Sequence, residues 1–221
     1  MTTRIQKDLS KAKQFWWITL FAVTLFVVMF VFKKAGAFDF WYWMSSNLIL
    51  LLTLVFILDK DNIRQLAGDF ASRPWVKVLY GLLAALILFC VFYLGNIAIR
   101  FLFDMAGEGI QNVYAFKQEA SGLRIGLLMA LVIGPGEELF WRGYLQRYLS
   151  ERKGKMSGFL LAASLYTMVH IATGNAVLVL AALVCGLFWG WLYMKYNSMI
   201  INMVSHTLWD IAVFILLPFA N

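Results

Sequence analysis

The stretch Gly134-Pro135-Gly136-Glu137-Glu138-Leu139-Phe140-Trp141-Arg142 sets two carboxylates and a guanidinium directly after the apolar run Leu127 to Ile133. Ionisable groups at membrane depth cost about 2.5–3.5 kcal/mol each on insertion scales, so their presence asks for a use. Glu138 and Arg142 are four residues apart, share one helix face and are spaced to form an ion pair. Glu137 is rotated about a hundred degrees away and cannot share that partner. Two other apolar stretches carry polar pairs at the same spacing: Tyr166 with His170, and His206 with Asp210. These are the only two histidines in the chain. Three helices thus each offer a polar pair to a common interior, where a carboxylate and imidazoles can move protons, bind a cation or simply pair with one another.

The elements that must position these groups follow from composition. The chain has 221 residues, 62% hydrophobic and 14% charged, against about half apolar and a quarter charged in a soluble domain. Several runs reach the ~20 residues a helix needs to cross a bilayer. The expected fold is all-α, a polytopic transmembrane helical bundle of about seven spans. The runs are continuously apolar rather than alternating, which argues against a β-barrel. The spans are expected near 15–32, 40–58, 76–99, 121–148, 156–172, 177–194 and 199–217. Residues 59–75 read as a polar loop. Residues 100–120, with Asp104, Glu108 and Glu119, read as the longest polar connection. A division follows: residues 1–120 carry three spans and that connection, and residues 121–221 carry a core of four spans. Gly134-Pro135-Gly136 is expected to break the fourth helix, because proline removes a donor and disturbs the preceding turn. Glu137 and Glu138 would then sit in the first turn of the restarted helix, where the dipole favours a carboxylate.

The net charge of +7 fits the positive-inside rule better than nucleic-acid binding, since the basic residues lie in connections. With the N-terminus in the cytoplasm, fourteen of the nineteen lysines and arginines fall in cytoplasmic segments. Lys33, Lys34, Arg100, Lys117 and Arg124 fall on the other side. The basic N-terminal stretch is expected to be a cytoplasmic lead-in to a retained span. Cys90 and Cys185 lie inside apolar runs and read as small buried hydrophobes.

The pattern Glu137-Glu138-x-x-x-Arg142, Tyr166-x-x-x-His170, His206-x-x-x-Asp210 resembles the CPBP family of intramembrane proteases, whose motifs run EExxxR, FxxxH and HxxxN/D. That family includes type II CAAX prenyl endopeptidases and bacterial Abi and bacteriocin-processing or immunity proteins. The resemblance spans about Ser121 to Pro218; the first three spans are not diagnostic. Each motif is weak alone, and three in order on separate apolar helices are a strong signal. Tyr166 stands where the family usually has Phe, and Asp210 where the prenyl endopeptidases have Asn, which fits the bacterial branch better.

The resemblance implies a glutamate-type protease. Glu137 would be the general base, His170 would position the water or shuttle its proton, and His206 with Asp210 would stabilise the oxyanion. Glu138 and Arg142, with Tyr166, would be structural support. The expected partners are membrane lipid and a peptide or protein substrate at the membrane, with no nucleic acid. The expected cofactor is none; the alternative is zinc held by Glu137, His170 and His206, the residue types of a two-histidine, one-carboxylate site. Two other functions fit the same residues: a non-catalytic immunity or scaffold protein on this fold, and a small transporter, against which the lack of an internal repeat counts. The protein is expected in the bacterial cytoplasmic membrane.

Overall fold

The computed structural model describes residues 2–102, 106–117 and 120–219; Asp104 and Glu119 of the expected polar connection lie outside the described residues. Among the described residues the regular elements are all helices. In chain order, α1 is Thr2–Phe32, α2 Phe40–Leu58, α3 Lys60–Ala71, α4 Pro74–Leu102 and α5 Ala106–Tyr114. A long helix over 122–153 is α6. It is followed by α7 (Lys155–His170), α8 (Ala176–Tyr196) and α9 (Met199–Ile211), the last continued by a π turn at Ala212–Leu216.

Among the described residues six helices are long and apolar enough to cross a membrane: Leu9–Phe32, Phe40–Leu58, Pro74–Leu102, Lys155–Thr173, Ala176–Tyr196 and Met199–Leu216. The chain is an integral membrane protein. The seventh expected span, α6, is absent from that set because its charged residues lower its hydropathy and its helix is divided by wide turns. It is nevertheless the centre of the bundle, packed by α2, α7 and α9. Trp141, Arg142, Phe140 and Leu145 on α6 are almost wholly enclosed. Lipid meets the outer helices instead, as on α4, where Leu79, Leu82, Leu86 and Ile87 are exposed.

Two sequence expectations are corrected here. The 59–75 stretch is not a loop, because Lys60–Ala71 forms the helix α3. It lies across the end of the bundle. Arg147 pairs with Asp59 just before it, Gln65 Nε2 donates to Tyr193 Oη (2.9 Å), and Asp69 accepts from Ser198 Oγ (3.0 Å) and the Ile200 amide (2.9 Å). Its polar residues thus face connections of the bundle, which is why composition alone resembled a loop.

Nor does Gly134-Pro135-Gly136 break the fourth helix. The chain stays helical from Gly122 to Lys153, passing through π segments at Met129–Ile133 and Leu139–Gln146. The Gly134 amide donates to the Met129 carbonyl, five residues back. That wider turn sets Pro135 in the first turn of the next α segment, where its missing N–H is tolerated. The helix therefore has no free N-terminus beside Glu137, and the expected dipole stabilisation does not apply there.

Helix ends are fixed by side-chain caps. Asp39 accepts from the amides of Trp41 and Tyr42, Ser121 from Arg124, Asn175 from Val177 and Leu178, and Ser198 from Ile201. Gly154, at φ 88°, makes the reversal between α6 and α7, a conformation that glycine adopts without a steric penalty.

Candidate active site

The three motif helices meet around one cavity. It measures about 320 Å³, and Glu137, Tyr166, His170, His206 and Asp210 are all in its wall. The remaining wall is almost entirely apolar and aromatic, with Phe30, Trp41, Phe116, Trp189 and Trp209 among its residues. Glu137, His206 and Asp210 are each under 8% exposed, so water in this space meets few polar groups other than these.

Glu138 is the structural centre and is fully enclosed. Its Oε1 accepts from Arg142 Nη1 (2.8 Å) and from His206 Nδ1 (2.7 Å), and its Oε2 accepts from Asn202 Nδ2 (2.9 Å). The Arg142 guanidinium also lies over the Tyr166 ring (4.9 Å) and the Trp189 ring (5.6 Å). One carboxylate thereby ties α6 to α9, and its partner guanidinium rests on α7 and α8. In a low-dielectric interior such a pair is stable only when its remaining bonding capacity is also met, and here it is met by His206 and Asn202.

Glu137 points to the other side. Its Oε2 accepts from Tyr166 Oη (3.0 Å) and lies 3.6 Å from His206 Nε2. Its Oε1 has no bond to any of the described residues, which leaves one oxygen for a water in the cavity. The Tyr166 hydroxyl, the atom by which this residue exceeds phenylalanine, thus holds the carboxylate.

Both imidazoles have one nitrogen committed to the protein. His170 Nδ1 donates to the Tyr166 carbonyl (2.7 Å), the one acceptor it meets, so Nε2 carries the lone pair. His206 Nδ1 donates to the Glu138 carboxylate, and Nε2 lies between Glu137 Oε2 and Asp210 Oδ2, at 3.6 and 3.5 Å. The His206 ring stacks on Trp189 at 3.7 Å and 16°. The residue that orients His206 is therefore Glu138 rather than Asp210. Asp210 faces the nitrogen at the cavity, at a distance beyond a normal hydrogen bond.

His170 makes no hydrogen bond to Glu137, although the two share the cavity wall. Among the described residues no group of three His, Cys, Asp or Glu side chains is gathered closely enough to hold a metal ion.

Asn202, Trp189 and Ser205 were not picked out by sequence reasoning. Asn202 is fully enclosed and bridges Glu138 to the Trp189 carbonyl (2.8 Å), while Trp189 Nε1 donates to Ser205 Oγ (3.2 Å). A signal existed for the first. Asn202, His206 and Asp210 continue one stripe at i, i+4, i+8 along α9.

The fold and the site define an integral membrane protein with a polar cluster set among its helices. Residues 119–212 match the family described as Type II CAAX prenyl endopeptidase Rce1-like. Over that stretch the chain is similar to the CPBP family, which includes CAAX-type intramembrane proteases. Neither the curated proteins nor the solved structures compared with the chain include a match.

Proposed function

We propose that this protein is an intramembrane endopeptidase that hydrolyses a peptide bond of a membrane-associated protein or peptide with a water activated by Glu137. The observation that carries the reading is the meeting of Glu137, His170 and His206, from three helices, in the wall of one cavity. A water on Glu137 Oε1 would give up a proton to that carboxylate as its oxygen attacks the scissile carbonyl. The bare Nε2 of His170 accepts the water's second hydrogen and so orients it. His206, as the imidazolium with both nitrogens protonated, then turns its Nε2–H to the negative charge developing on the carbonyl oxygen, with Glu138 holding the ring in place. Collapse of the tetrahedral intermediate breaks the C–N bond. The proton held by Glu137 passes to the leaving amine, which regenerates the carboxylate.

Asp210 and Tyr166 act on these groups rather than on the substrate: Asp210 bounds the position of the His206 ring, and Tyr166 fixes that of Glu137. We place the protein in a bacterial cytoplasmic membrane, with its N-terminus inside. In this reading neither metal nor cofactor takes part. Glu137→Gln keeps the shape and removes the base, so purified enzyme should lose turnover by roughly 10²–10⁴-fold while remaining folded. Turnover should survive exhaustive chelation. Equal turnover by wild type and Glu137→Gln would refute the reading.

A further inference from the structure

We infer that the cavity is loaded from the extracytoplasmic side of the membrane, so that the segment to be cleaved must cross the bilayer before it is cut. The inference takes from the proposed function only the identity of the cavity as the reaction site.

Side-chain contacts sort the connections into two ends. At one end Arg147 pairs with Asp59, Gln65 reaches Tyr193 and Asn197, and Asp69 binds Lys77, Ser198 and Ile200. At the other, Trp41 Nε1 donates to the Phe116 carbonyl (2.8 Å), Asn175 Nδ2 to the Gly109 carbonyl (2.7 Å), Tyr114 Oη to the Val213 carbonyl (2.8 Å), and Arg124 pairs with Asp39. The cavity belongs to the second end. Phe30, Trp41, Ile110, Tyr114, Phe116 and Phe219 line it, and none of residues 59–73, 145–158 or 193–200 does.

Its side opening is equally one-sided. Helix α4 packs on α9, and α8 packs on α7; between them the short helix α5 bridges the gap. Below α5 the wall is made by Val91, Gly95 and Asn96 of α4 and Leu178 and Ala181 of α8. A side chain added at Gly95 would meet nothing within 4 Å. An apolar segment can therefore slide in from that half of the bilayer.

The charges say which half it is. Arg142 is enclosed within the protein. Of the other described lysines and arginines, Lys33, Lys34, Arg100, Lys117 and Arg124 fall at helix ends or connections on the cavity side, and eleven, from Lys11 and Lys13 to Lys155 and Lys195, on the opposite side. Short-loop cations accumulate in the cytoplasm. The cavity end is thus the extracytoplasmic one. The substrate class that follows is an apolar segment of a protein already inserted in or moved across the membrane, and the reaction supplying it is translocation.

Accessibility of single cysteines in intact bacterial cells tests this. In a Cys90→Ser, Cys185→Ser background, Ala115→Cys reports the mouth, Val113→Cys the cavity wall, and Lys153→Cys and Arg152→Cys the opposite end. A membrane-impermeant maleimide should modify the first two in intact cells and the last two only after permeabilisation. The reverse pattern overturns the assignment. So does a Val113→Cys that stays unmodified under both conditions while Ala115→Cys reacts. The same pattern is expected with Glu137→Gln added, so sidedness and proteolysis fail separately: a Glu137-independent turnover would remove the second and leave the first.

Discussion

Glu137 and Glu138 are neighbours in sequence with opposite tasks, and helix geometry divides the work. The rotation between them sends Glu138 into the protein against Arg142, His206 and Asn202, and Glu137 to the cavity under the Tyr166 hydroxyl. Removing one partner of an enclosed ion pair leaves an uncompensated charge, which costs about 3–5 kcal/mol. Arg142→Ala should therefore lower the unfolding free energy in detergent by about that amount, as measured by denaturant titration. Glu137→Gln should leave it nearly unchanged, since only a hydrogen bond from Tyr166 is altered. The reverse order would mean that the two carboxylates have exchanged roles. The i, i+4 spacing was enough to read the Glu138–Arg142 pair from the sequence. The bond between His206 and Glu138, which links residues 68 positions apart, has no local signature.

At the scale of elements, the position of Glu137 relative to His206 depends on how closely α6 approaches α9. Gly134 makes that approach possible: a Cβ there would run into the Thr207 hydroxyl and lie 3.1 Å from the Met129 carbonyl and from the Thr207 Cα. Small residues serve this purpose at helix crossings in membranes. Gly134→Ala should separate the two helices and reduce turnover on the order of 100-fold, the scale of loss expected from a displacement of about 1 Å. Gly126→Ala on the same helix, where nothing lies within 4 Å, should leave turnover intact. Comparable activity in the two variants would show that the crossing does not set the site. Here the sequence was only partly legible. The proline and its flanking glycines marked a disturbance in the helix, yet a break and a widened π turn share the same letters. What selects the π turn is packing of α6 within the bundle, a tertiary effect. The helix α3 was hidden for a related reason, since its polar residues are matched by distant partners such as Tyr193 and Ser198.

Across the whole molecule, the first two helices do more than anchor. Phe30 of α1 and Trp41 of α2 line the same cavity as the motif residues, so the N-terminal spans, which carry no recognisable motif, help to shape what the site accepts. Their apolar character made them legible as spans, but nothing in their spacing tied them to the cavity. The open space beside Gly95 gives a direct handle on entry. Gly95→Trp should fill the opening between α4 and α8 and raise KM while kcat is largely kept, because it touches none of the reacting groups. A fall in kcat with KM unchanged would mean that substrate does not pass this way.

The central claim is that a water in this cavity is added across a peptide bond under the control of Glu137. Its most direct measurement is hydrolysis in water enriched in oxygen-18. Purified protein is mixed with membranes from cells lacking it, and new protein termini are identified by mass spectrometry. Heavy oxygen is expected in the carboxyl group of each new C-terminus with the wild type, and no new termini are expected with Glu137→Gln. New termini formed equally by both proteins, or formed without heavy oxygen, would contradict it.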